Sequence, residues 1–235
     1  MTQHTVRSFD EQLKHLKHMI VQMGSLAEEE LENAISALTR RDTALAESTV
    51  GSDRKLDELE QEVANLAVRI LALRQPMASD LREIVSALKI SSDLERMGDY
   101  AKNVAKRAIA LSQLPPVKPA GSIPRMARLV QQIIKDTLDA YIERDAERAV
   151  DAWRRDEEVD EMYTSIFREL LTYMMEDPRN ITTCTHLLFC AKNIERIGDH
   201  ATNIAETIYY MTTGAVPEGE RPKDDTANTV GAIAD

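Results

Sequence analysis

The sequence predicts an all-α protein of six long helices, arranged as two tandem, pseudo-repeated antiparallel three-helix bundles. Three observations carry that prediction. Apolar residues recur at alternating four- and three-residue steps over most of the chain. Gly and Pro number only eight each in 235 residues, too few for the turns of a sheet protein. And the segment DLERMGDYAKNVA at 93–105 returns as NIERIGDHATNIA at 193–205, displaced by one hundred positions, which marks a duplicated supersecondary unit.

The first helix is expected over 8–40, where Leu13, Leu16, Ile20, Met23, Ala27, Leu31, Ala34 and Leu38 form one stripe. The second starts near Asp42 and carries Leu56, Leu59, Val63, Leu66, Ile70 and Leu73 until Pro76 removes a backbone donor. Asp80 is the expected N-cap of the third, whose stripe runs from Leu81 and Ile84 to Leu111. Residues 113–124, QLPPVKPAGSIP, hold four prolines and a glycine and read as the internal linker. The pattern then restarts. Met126, Leu129, Ile133 and Ala140 mark a fourth helix, Val159, Met162, Ile166, Leu170 and Tyr173 a fifth, and Pro178 interrupts as Pro76 did. A sixth runs through Leu187, Cys190, Ile194, Ile197, Ala201, Ile204, Ile208 and Met211 to Gly214, a C-terminal stop. The expected organisation is a first bundle at 1–112, the linker, a second bundle at 125–214 and a flexible tail at 215–235.

Composition narrows the function classes. A net charge of -11 without a long Lys/Arg run argues against nucleic acid as a partner. Met1–Asp10 lacks a signal-peptide core and no apolar run is long enough to span a bilayer, so a membrane is expected to be met only through partners. Cys184 and Cys190, six apart on one helix, read as reduced core thiols. Met174 and Met175 read as flexible core filling.

The residues that could carry chemistry are carboxylates. Glu95 and Asp99 stand one helical turn apart, as do Glu195 and Asp199, with Asp53 and Asp57, and Asp156 and Asp160, on the preceding helices. Antiparallel neighbours would join the pairs of each half into clusters of hard oxygen ligands suited to Mg, Mn or Fe. At about 100° per residue the Glu95–Asp99 stripe points away from the Leu94–Met97–Ala101 stripe, so a surface position is expected. A merely solvated acidic face, paired weakly with Arg96 or Arg196, fits the same spacing. Gly98 and Gly198 inside these helices imply close approach of a ligand or a packed neighbour, and His200 is a candidate extra ligand that Tyr100 replaces in the first half. No histidine follows a Glu by three positions, which disfavours a buried di-iron site. No phosphate-cradling loop or nucleophile elbow is present.

With RQPMASDLR at 74–82, ERMGDYAKNVA at 95–105, TYMMEDPRNI at 172–181 and FCAKNIERIGDHATNIA at 189–205, the chain closely resembles the PhoU family from about Phe9 to Gly214. The resemblance implies a cytoplasmic, non-enzymatic negative regulator of the phosphate-starvation response. It further implies an adaptor between the ATPase subunit of the phosphate-specific ABC transporter and the cytoplasmic region of a sensor histidine kinase, with a homodimer expected. It implies metal binding, with Asp53, Asp57, Glu95, Asp99, Asp156, Asp160, Glu195 and Asp199 at the family's acidic positions. Arg82 and Arg196, in family motifs, and Arg96 are the candidate partner-binding residues on exposed helix faces. The rival readings are a carboxylate-cluster metal-dependent enzyme and a metal-buffering protein.

Overall fold

A computed structural model describes residues 2–52, 54–117 and 121–217, with side chains from Phe9 onward. Apart from 3-10 conformation at Gly121 and at Pro178–Asn180, the regular structure there is α-helical: α1 (Thr2–Arg40), α2 (Thr43–Ser52), α3 (Arg54–Arg74), α4 (Ala78–Ser112), α5 (Ile123–Glu143), α6 (Ala146–Arg154), α7 (Asp156–Glu176) and α8 (Ile181–Thr213). These make the six rods expected, with the second and fifth broken into α2–α3 and α6–α7. Each half therefore runs long rod, broken rod, proline break, long rod. The expectation of a flexible tail falls largely on 218–235, outside the described residues, as does linker segment 118–120.

Several boundaries differ from the sequence reading for local reasons. Asp80 is not the cap of α4. Met77 occupies that position in extended conformation, and Asp80 sits in the first turn, where a carboxylate favours the positive end of the helix dipole. Helix α5 begins at Ile123, inside the stretch read as linker, because a proline in the first turn loses no hydrogen bond the helix needs. Helix α6 is entered through Asp145, whose carboxylate accepts from the backbone N–H groups of Glu147 and Arg148, both at 3.0 Å.

The buried apolar side chains of both halves join in one continuous core, from Leu16 on α1 to Met211 on α8. Helices α4 and α8 pack as an antiparallel seam. Along it Lys89 stands by Tyr210, Asp93 by His200, Tyr100 by Arg196, and Arg107 by Phe189. Because the repeat displaces residues by one hundred, this antiparallel register places a pseudo-two-fold axis through the seam. A second tie crosses between halves at α1 and α5. There Gly24 has no room for a Cβ against the Leu138 side chain and Lys17 donates to the Ile142 carbonyl at 2.7 Å, while Arg144, at the end of α5, pairs with Glu83 of α4.

The stripes are buried or pack partly buried against the core, except at their ends. Leu73 is 68% exposed and Leu81 41% exposed, since both lie beside the proline break where the bundle stops. Both cysteines are free and buried, with burial pushing the Cys190 thiol up to about 12.

Candidate functional site

In the first half, α3 and α4 bring acids together at Glu95. Its carboxyl titrates above the ordinary range, first because it is partly buried, then because Asp99 and Glu60, and to a smaller degree Asp57, surround it with like charge. Arg96 opposes this from 3.9 Å, and Lys102 reaches Asp99 at 3.4 Å. Glu60 was not among the expected residues, although its place three positions after Asp57 puts it on the same face of α3. Asp53 lies outside the described residues.

In the second half the acids are deeper and better matched. Asp156 opens α7, is 1% exposed, and accepts the Thr202 hydroxyl at 3.3 Å. Glu195 is 8% exposed and takes the Lys192 ammonium at 2.7 Å. The surface position expected of the Glu95–Asp99 stripe is therefore not shared by its counterpart Glu195, and Asp156 is buried as well. Helix α8 packs against α4 as well as α5, α6 and α7, so more of its circumference is covered than one apolar stripe implies. Asp160 and Asp199 are half-buried beside them.

Oxygen donors of the right kind are thus gathered in each half, but not as ligand sets. Among the described residues no three His, Cys, Asp or Glu converge closely enough to hold an ion. His200 is placed in the α4–α8 seam. Its ring stacks on Tyr100 with centroids 5.6 Å apart and Nδ1 lies 2.8 Å from Asp93 Oδ1, so it fastens the α4–α8 seam. Gly198 is explained by packing within its own bundle, because a Cβ there would lie 3.3 Å from Val159 and 3.5 Å from Val130.

Two of the three candidate arginines are presented as expected. The Arg96 side chain is 60% exposed, and Arg196 is exposed with its guanidinium 5.5 Å from the Tyr100 ring. Arg82 is not on an open face. It is half-buried, and its guanidinium packs where a Cβ on Gly214 would come within 3.5 Å, against the left-handed turn that ends α8.

The sequence reading missed the apolar ends of the rods. Met77 is 79% exposed between Leu73 and Leu81, and in the second half Met175 is 85% exposed with Leu171 and Ile181 also exposed. Met174 does pack on the core, so the expectation of core filling holds for it and fails for Met175. Each half therefore carries an apolar knuckle at its proline break.

A family model described as "PhoU domain" matches twice, at residues 20–108 and 123–208, the two halves of this seam. The chain belongs to the PhoU family. It is 55% identical to a phosphate-specific transport system accessory protein PhoU homolog of Rhizobium meliloti (strain 1021), over 99% of this chain and 98% of that one. A homolog of the same description from Caulobacter vibrioides (strain NA1000 / CB15N) is also 55% identical, over 96% and 98%. The crystal structure of PhoU from Pseudomonas aeruginosa superposes with a TM-score of 0.85 at 39% identity, covering 88% of this chain and all of that one. The phosphate transport system regulatory protein PhoU from Streptococcus pneumoniae gives 0.83 at 29% identity, covering 90% and 100%. The PhoU family is regulatory and non-enzymatic, so this chain is a PhoU-type accessory protein and not an enzyme. No helix among the described residues is long and apolar enough to cross a membrane.

Proposed function

We propose that this PhoU-family chain is a cytoplasmic negative regulator of phosphate uptake and of the phosphate-starvation response. It acts as an adaptor between the ATPase subunit of the phosphate ABC transporter and the cytoplasmic region of a sensor histidine kinase. The observation that carries the adaptor reading is the pair of apolar knuckles, Leu73, Met77 and Leu81 in one half and Leu171, Met175 and Ile181 in the other. Long exposed apolar side chains in a highly charged chain are costly unless a partner covers them. Two copies at pseudo-equivalent ends suit a protein that holds two partners, or that dimerises through one end. Arg96 and Arg196 add charge that orients a partner without supplying the main affinity.

In the same reading the acidic stripes take up Mg, Mn or Fe, with side chains closing around the ion. Metal analysis of a chain carrying Asp57→Ala, Glu95→Ala and Asp99→Ala, beside one altered at Asp156, Asp160, Glu195 and Asp199, tests this. Unchanged metal content in the combined variant removes metal from the function.

The adaptor is tested by capture of purified ATPase subunit and kinase cytoplasmic region on wild-type protein, Met77→Glu, Met175→Glu, Arg96→Glu and Arg196→Glu. The knuckle variants are expected to lose a partner while keeping wild-type helicity, and a gene deletion is expected to switch starvation genes on in phosphate-rich medium. Wild-type capture by all four variants would move the partner surface elsewhere.

A further inference from the structure

On one side of the α4–α8 seam lies a groove of about 390 Å³ whose charged lining is entirely cationic: Lys106 and Arg107 from α4 and Arg196 from α8. In a chain of net charge -11, cations ordinarily find carboxylates, yet none of these three makes an ion pair among the described residues. Asn103 and Asn193 add amide groups to the same lining, and no Asp or Glu contributes to it.

Arg107 is held in place without being neutralised. Its guanidinium lies over the Phe189 ring, 4.1 Å from the centroid, and Nη1 stands 3.1 Å from His186 Nδ1. Since a guanidinium only donates, His186 accepts at Nδ1 and carries its proton on Nε2. Burial, then the Arg107 charge, hold the His186 imidazole below its ordinary range, so it is neutral at physiological pH. The arrangement fixes the direction of a cation while leaving other N–H donors for a ligand.

The pseudo-symmetry supplies an internal control. Shifting the lining by one hundred residues leads to the opposite side of the seam, where Lys106 becomes Glu206, Arg107 becomes Thr207, Asn193 becomes Asp93 and His186 becomes Ser86. Arg196 becomes Arg96, and Phe189 becomes Lys89. That side holds two carboxylates, one of them engaged by His200. The same helices in the same register thus carry a mixed-charge set of residues on one side and a purely cationic lining on the other, so the cationic lining does not follow from the fold alone.

We propose that the Lys106–Arg107–Arg196 groove is a binding site for a small polyanion bearing more than one phosphate group. Arg and Lys are the side chains that recognise phosphate oxygens, Arg through paired N–H donors and Lys as a point charge. Ligand sites run from about 300 to 1,000 Å³, so a groove of this size is much larger than orthophosphate requires. A nucleoside triphosphate and inorganic polyphosphate share the required chemistry. The half-exposed Phe189 ring and the two amides would favour the former, and the cations serve both alike.

Calorimetric titration of the full chain with ATP, sodium tripolyphosphate and sodium orthophosphate, at constant ionic strength, tests the site. Saturable binding of a triphosphate probe is expected, with orthophosphate at least about tenfold weaker. Lys106→Ala with Arg107→Ala should weaken the triphosphate at least tenfold, while Lys89→Ala with Arg96→Ala on the opposite side should change it less than twofold. Lys106→Glu alone, at an exposed position, should reproduce the loss should the double variant fold poorly. Tighter binding of ATP than of tripolyphosphate, with the advantage removed by Phe189→Ala, identifies a nucleotide, and equal binding identifies inorganic polyphosphate. Equal losses on both sides of the seam, or no saturable binding of either triphosphate by natively folded protein, would overturn the proposal. The variants at Lys106, Arg107 and Phe189 leave both apolar knuckles, Arg96 and Arg196 intact, so partner capture by them should stay at the wild-type level whichever way the titration falls.

Discussion

Glu95 and Glu195 hold the same place in the repeat and live in different surroundings. Three residues before Glu195 stands Lys192, which binds it at 2.7 Å, whereas Ser92 stands three residues before Glu95. Two turns further on, Thr202 donates to the buried Asp156, whereas Lys102 pairs with the more exposed Asp99. The first stripe is consequently crowded with like charge and the second is matched. The two sides of the α4–α8 seam differ in the same manner, through residues 106, 107 and 193 against 206, 207 and 93. Duplication kept the packing, because packing needs many residues to agree. It left charge free to diverge, because one side chain a turn away can invert it.

The largest expected effect concerns what the halves share. Leu94 and Ile194 are equivalent and fully buried. Leu94→Ala and Ile194→Ala should each cost about 2–5 kcal/mol in chemical denaturation, through lost transfer energy and a cavity. With a single continuous core, each should lower one cooperative transition. Two transitions, with only one moved by each variant, would show that the halves unfold separately.

Next in size is a transplant across the seam. Glu206→Lys with Thr207→Arg should add a second triphosphate site within about tenfold of the first, raising the calorimetric stoichiometry towards two. No second event would mean that the cations need the Phe189–His186 support that the opposite side lacks.

The acidic stripes should then respond in opposite directions. Glu195→Gln removes a mostly buried ion pair and should destabilise by about 1 kcal/mol at neutral pH. Glu95→Gln should raise Tm at neutral pH, by about 1 °C. Folded protein keeps the Glu95 proton to higher pH than the unfolded chain, so the contribution of Glu95 to stability is fully present below its unfolded-state pKa and is lost as pH rises through its folded-state pKa. A glutamine escapes that loss, and its advantage should shrink as pH falls into the usual carboxylate range. An equal Tm gain at every pH would assign the effect to packing instead.

What could be read from the sequence followed from periodicity and identity. The stripes of α1, α4, α5 and α8, the proline breaks and the repeated acidic positions are local patterns, and the structure keeps them. The nine-residue α6 escaped because it is too short to build a stripe, although Asp145 ahead of an Ala- and Glu-bearing segment is a start signal. The apolar knuckles escaped because periodicity does not say where a bundle ends, so Leu73, Leu81 and Met175 were assigned to the core. The burial of Asp156 and Glu195, and the cationic groove, depend on which helices meet across the seam. Residues 107 and 186, separated by most of the second half, have no local signal that joins them.

The crossing of α1 onto α5 has a consequence for the peptide connection between the halves. Gly24 against Leu138 and Lys17 on the Ile142 carbonyl stitch the first rod to the second bundle, Arg144 on Glu83 ties the end of α5 to α4, and the α4–α8 seam stitches the last rods to one another. The halves are therefore held together by more than the peptide link between Ser112 and Ile123. A protease nick within it should yield two fragments that travel as one particle through gel filtration, and two separately expressed halves should reconstitute that particle by complementation.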